Sequence, residues 1–151
     1  TITSINKEYR MDILLKGTYF DIETKDTYIY IGLKKDKTKQ ERTDYKDKFI
    51  SSKIFQWESE NNTTIDNGVG IKLRNTQKVY LFVRKMDEED NIVLPFTYFG
   101  TGKFTNMRES QVIDKSNGNV YKTLLFDILL DNEVPEEYFI DFEIPNNDFT
   151  L

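Results

Sequence analysis

The stretch TYFDIETKDTYIYIGL, residues 18–33, decides the fold. Thr18 to Glu23 and Thr27 to Leu33 are rich in Tyr, Ile and Phe, side chains that suit a pleated, half-buried surface, and the turn residues Lys25 and Asp26 separate them. The segment reads as a β-hairpin. Upstream the pattern is helical: Asn6 can cap a helix, Tyr9, Ile13 and Leu14 share an apolar face with Met11 on its flank, and Gly17 is a suitable left-handed stop. The sequence therefore predicts a leading α-helix that gives way to strands at Gly17.

Downstream, strands are expected at residues 54–58, 70–74, 79–84, 96–104, 120–130 and 138–144. Asn61 to Gly70, the acidic run Met86 to Asn91 and Ser116-Asn117-Gly118-Asn119 carry turn or loop chemistry between them. Residues 120–130 also admit a helix, because Leu124-Leu125-Phe126 followed by Ile128-Leu129-Leu130 does not alternate cleanly. Gly100 and Gly102 inside an aromatic strand imply a bend or bulge. About eight strands with short connections favour a mainly β fold, a curved antiparallel β-barrel behind one helix, because closure removes exposed edges.

At 151 residues and 17.9 kDa the chain fits a single domain, residues 1–151. With no Cys and no His, disulfides, zinc-thiolate sites, thiol nucleophiles and Ser-His or Cys-His catalysis are all excluded. Apolar residues reach only 38 %, yet 11 Phe, 9 Tyr and one Trp must build the core. No apolar run approaches the roughly twenty residues of a membrane span, so the expectation is a cytoplasmic domain with no membrane partner. The net charge of −5 conceals an asymmetry. Residues 1–85 hold 17 Lys/Arg against 12 Asp/Glu, net +5, and residues 86–151 hold 4 against 14, net −10. The basic stretch from Lys34 to Lys53 is able to attract phosphate, or to be a solvated loop.

The segment Asp44 to Glu60 brings aromatics, carboxylates and lysines together. A pocket that reads an extruded base needs flat side chains, a polar group for the base edge and cations for phosphate, and Tyr45, Asp47, Trp57 and Ser59 supply those types. The plainer reading makes Phe49, Phe55 and Trp57 core and the charges surface. Glu23-Thr24-Lys25 with Asp12 faintly suggests a magnesium nuclease site, but the spacing is common by chance. Asp87-Glu88-Glu89-Asp90 lacks the ligand spacing of a calcium loop. Neither phosphate-binding glycine motif occurs, so no cofactor is expected.

The order of motifs resembles a known family. Tyr9-Arg10, Ile31-Gly32-Leu33-Lys34-Lys35, Tyr45-x-Asp47-x-Phe49-x-Ser51, Phe55-x-Trp57-x-Ser59, Leu81-Phe82-Val83-Arg84 and Pro95-Phe96-Thr97-Tyr98-Phe99-Gly100 recur, in order, in the domain that follows the motor in helicase-type, modification-dependent (type IV) restriction proteins carrying a phospholipase-D-like nuclease. The likeness spans about Tyr9 to Phe104. It implies a non-catalytic SRA-like, PUA-related reader of double-stranded DNA containing 5-methylcytosine or 5-hydroxymethylcytosine, covalently linked to helicase and nuclease domains. On that reading Tyr45 and Trp57 stack on a flipped base, Asp47 accepts from its exocyclic amine, Ser59 bonds its edge or a phosphate, and Lys34, Lys35, Lys46, Lys48 and Arg84 meet the backbone. Gln is common in the family where this chain has Glu58 and Glu60, so either these carboxylates point away from DNA or the pocket lies elsewhere. The alternative function is a protein-contact module regulating an attached motor, with the acidic C-terminal part as its working surface.

Overall fold

The computed structural model describes residues 11–15, 17–34, 46–60, 62–86, 88–89 and 92–146. The hairpin forms as expected: β2 (Thr18–Asp21) pairs antiparallel with β3 (Asp26–Lys34), from Thr18 opposite Ile29 to Asp21 opposite Asp26. The turn is shaped by Asp21, whose Oδ1 accepts the N–H groups of Glu23 and Thr24, while Lys25 takes a φ of 62°. The leading helix is corrected. Met11–Leu15 is a strand, β1, paired antiparallel with β2; Asn6 and Tyr9 lie outside the described residues. Gly17 does adopt a positive φ of 85°, but it turns one strand into the next, close enough to the Tyr30 carbonyl that a Cβ would sit 2.8 Å from its oxygen.

The chain continues through β4 (Lys48–Phe49), β5 (Ile54–Glu58), α1 (Gly68–Arg74), β6 (Lys78–Met86), β9 (Thr97–Ile113) and β10 (Val120–Leu130), with β7 (Glu88–Glu89) and β8 (Ile92–Val93) forming a separate small hairpin. Residues 70–74, expected as a strand, belong to α1. Asn67 caps it by accepting the Gly70 N–H at 2.8 Å, and Leu73 is its buried anchor. Residues 138–144, also expected as a strand, form a 3₁₀ turn over Glu136–Tyr138 and further turns that insert Phe142 and Ile144 into the core.

The eight main strands lie in the order β1-β2-β3-β6-β9-β10-β5-β4. β3 and β6 run parallel, from Asp26 opposite Lys78 to Lys34 opposite Met86, so the sheet is mixed where an antiparallel one was expected. The reason is the connection: β4, β5 and α1 intervene, and so long a crossover returns the chain to the same end of the sheet. The expected barrel is also corrected, since the described sheet is open, with β1 and β4 as its two ends. It is nevertheless curved. Phe49 on β4 meets Phe99 on β9 at 5.2 Å between ring centroids, although β10 and β5 separate those strands and a flat sheet would hold them about 14 Å apart.

One core fills the concave side: Phe20, Ile29, Ile31, Val79, Leu81 and Val83 from the hairpin half meet Phe55, Trp57, Leu124, Phe126 and Ile128 from the β5–β10 half. β10 reads without clean alternation because residues 123–126 are all buried, flanked by β9 on one side and β5 on the other. The bulge expected near Gly100 is present. The register slips between Leu81 and Phe82, and Gly100 supplies its positive φ of 96°.

Candidate nucleic-acid interface

Of the expected base pocket the structure describes Asp47, Trp57 and Ser59. Tyr45 and Lys35 lie outside the described residues, as does the side chain of Lys34, the last residue of β3. Trp57 is 4 % exposed and packs beside Phe104 and Phe126, with ring centroids 5.7 and 5.9 Å away. An indole so enclosed presents no ring face to a base in this arrangement. Ser59 is equally buried, its Oγ accepting the Leu124 N–H at 2.8 Å, which ties the end of β5 to β10. A hollow of about 310 Å³ opens between Ser52 and the segment that carries Glu133, Val134, Pro135, Glu136 and Phe139. Asp47, Trp57 and Ser59 do not line it, and its carboxylates do not suit phosphate.

What the segment around Asp47 builds instead is a clasp. The Lys46 N–H donates to Glu58 Oε1 at 2.9 Å, and the Glu58 N–H donates to Asp47 Oδ1 at 2.7 Å. Glu58 has no exposed side-chain surface; its second oxygen accepts the Thr123 hydroxyl at 2.6 Å and lies 3.5 Å from Lys46 Nζ. Gln56, on the same strand face, donates to the Lys46 carbonyl and accepts from Arg108, which also pairs with Asp127. A buried carboxylate is tolerable only when paired and hydrogen-bonded, and here each oxygen has its donor. Glu58 thus points inward, and Lys46 and Lys48 remain exposed on the chain entering the edge strand β4. Lys46 Nζ also donates to the Gln111 carbonyl at 2.8 Å, so this ammonium bridges the clasp to β9.

Arg84 lies elsewhere, on the convex face of β2, β3, β6 and β9. This face is aromatic. Tyr28 stacks on Tyr80 (centroids 4.4 Å, planes 9° apart), and Tyr30 stacks on Phe82 (4.4 Å, 6°), which continues to Tyr98 at 4.8 Å. The Arg84 guanidinium sits 4.4 Å from the Phe96 ring centroid and Lys78 Nζ 5.9 Å from that of Tyr80. Burial, reinforced by Tyr80, Asp21 and Asp26, pushes the Tyr28 phenol up to about 12; burial likewise raises Tyr30 and Tyr98. These phenols stay neutral hydrogen-bond donors across the physiological range.

The sequence does carry a signal for this face. In β3 and β6 both parities are apolar, with Tyr28, Tyr30, Tyr80 and Phe82 alternating with Ile29, Ile31, Val79 and Leu81. The clasp left no comparable signal, because Thr123, Gln111 and Arg108 reach it only through cross-strand pairing. The weak nuclease constellation does not assemble: Glu23 and Lys25 are exposed turn residues, and the Asp12 side chain lies outside the described part, as do the side chains of Asp87, Glu88, Glu89 and Asp90. Among the described residues no group of three or more acidic, His or Cys side chains is placed to hold a metal, and no helix is long and apolar enough to cross a membrane.

No curated protein matches the chain. The sequence profile of the family described as Domain of unknown function (DUF3427) matches residues 3–142, nearly the whole length, and the chain belongs to that family.

Proposed function

We propose that the domain is a non-catalytic reader of double-stranded DNA containing 5-methylcytosine or 5-hydroxymethylcytosine, flipping the modified base and directing a linked helicase and nuclease of the type IV restriction kind. The motif order supports this reading, as does the curvature of a sheet whose one core lies on its concave side. The observation that carries it is the clasp: the Glu58 N–H donates to the Asp47 carboxylate and the Lys46 N–H to the Glu58 carboxylate, two bonds that fix the entry to β4 and hold the cationic positions Lys46 and Lys48 at the surface before DNA arrives. Such preorganisation lowers the ordering cost of binding. In this proposal Trp57 and Ser59 support the segment from beneath, and a flipped base meets Tyr45 and Asp47 rather than the indole.

The test is fluorescence anisotropy with labelled duplexes that differ in one cytosine: methylated, hydroxymethylated or plain. Burying one methyl group contributes about 0.8 kcal/mol, so the methylated duplex should bind at least about fourfold more tightly. Affinity should also fall with added salt, as phosphate neutralisation requires. Equal affinity for all three duplexes refutes modification reading; no salt-sensitive binding refutes the DNA role altogether.

A further inference from the structure

We propose that the convex aromatic face of β2, β3, β6 and β9 is a second nucleic-acid site, which binds an unpaired strand by stacking its bases on Tyr80 and Tyr98 while Lys78 and Arg84 meet its phosphates. This goes beyond duplex reading and does not depend on it.

The argument begins with burial. Parallel strands are ordinarily covered on both faces, and the parallel pair β3–β6 is built for that, with Ile29, Ile31, Val79, Leu81 and Val83 buried below and aromatic rings above. Yet among the described residues the upper rings are only half-covered, and Tyr98 is 51 % exposed. The rings form two parallel rows across the sheet, Tyr28–Tyr80 and Tyr30–Phe82–Tyr98, set about 7 Å apart by the two-residue repeat of β6.

Among the described residues each row is open at its β9 end. Opposite Tyr80 on β9 stands Thr101, a small side chain, and Tyr98 lies beyond the last β9–β10 pair at Gly102 and Leu130. The Gly100 bulge makes this possible. It places Tyr98 and Thr101, three residues apart, opposite Phe82 and Tyr80 on the same face, while Phe99 turns to the core against Phe142. A base added at either end extends an existing stack.

Charge selects the occupant. Lys78 and Arg84 bracket the rows at the two ends of β6, each already over a ring, and the half of the chain that builds most of this face is net +5. Two carboxylates border the face, each with a hydrogen-bond partner: Asp21 accepts backbone N–H groups in its turn, and the exposed Asp131 accepts the Thr101 hydroxyl. Stacked rings with flanking cations and neutral phenol donors suit bases and phosphates, the combination found in platforms for single strands.

The experiment uses the full chain and a short labelled oligothymidylate. Wild type should bind it with salt sensitivity, and Tyr98→Ala, at an exposed position, should weaken binding roughly five- to 150-fold. Lys78→Glu should weaken binding and flatten the salt dependence. The methylated-duplex affinity of Tyr98→Ala should match wild type, which separates this site from the duplex reading. An unchanged urea midpoint shows that each variant is folded. The proposal is overturned if wild type does not bind the strand at low salt, or if Tyr98→Ala binds it equally well. It is also overturned if wild type self-associates and Tyr98→Ala abolishes that, which would assign the face to a protein contact.

Discussion

Replacing Trp57 separates its structural from its ligand-binding role, because the two make opposite demands on one ring. The indole is 4 % exposed and lies in the core beside Phe104 and Phe126. Trp57→Phe removes about three ring atoms from this cluster, at about 0.8 kcal/mol for each carbon-sized group, so the expected loss is about 2 kcal/mol. Trp57→Ala leaves a larger void and should cost about 3–5 kcal/mol. With a urea dependence of about 2 kcal/mol per molar, the midpoints fall by about 1 M and about 2 M. Circular dichroism across a urea series reads these shifts, and the anisotropy titration is repeated at a temperature where Trp57→Phe is fully folded. DNA affinity should then change by less than about twofold, under 0.5 kcal/mol. A Trp57→Phe variant with the wild-type midpoint and a tenfold weaker methylated-duplex affinity would refute the core assignment and return the indole to the base.

Two further outcomes follow from the clasp and from the stacked phenols. Glu58→Ala strands the Lys46 N–H, the Thr123 hydroxyl and a nearby ammonium, and should cost about 3–5 kcal/mol, whereas Glu58→Gln, which keeps one acceptor, should cost about 1–2 kcal/mol; matching urea midpoints for the two would disprove the buried-carboxylate role. Tyr28 is pushed up to about 12 in the folded chain against an ordinary 10, so its contribution to stability is complete below pH 10 and is lost as pH rises toward 12, where the unfolded phenol ionises first. Tyr28→Phe should therefore flatten the fall of stability with pH in that window, and denaturation curves with an unaltered alkaline slope would contradict the assignment.

Much of the local structure was legible. The hairpin at Lys25–Asp26, the limits of β5 and β10, the turn at residues 116–119 and the bulge at Gly100 all follow from turn chemistry and β-rich composition. What failed was decided by distant partners. Tyr9, Ile13 and Leu14 sit at helical spacing with Met11 on the flank, but β2 offers Met11, Asp12, Ile13 and Leu15 a ladder, and a local window does not contain that offer. Residues 70–74 read as a strand until Asn67 is seen to cap a helix. Trp57 looks like a recognition residue beside Asp47 and Ser59, yet its environment is set by Phe104 and Phe126, far along the chain. Aromatic identity does not reveal exposure; the sheet order does.

The same reasoning bears on how, under the proposed function, a chain with Glu58 beside its DNA-facing lysines would approach DNA. An outward Glu58 would repel phosphate near Lys46 and Lys48. Turned inward, it receives the Lys46 N–H and the Thr123 hydroxyl, and its charge is balanced by the Lys46 ammonium 3.5 Å away. The acid therefore costs the surface little negative potential, and in return fixes the backbone that carries Lys48. But the balance is mutual. An ammonium shared between Glu58 and the Gln111 carbonyl is a weaker phosphate contact than a freely solvated one, so the β4 edge alone offers little more than the charge of Lys48. The proposed duplex site therefore predicts a shallow salt dependence, and the proposed single-strand site on the convex face, which carries both Lys78 and Arg84, a steeper one.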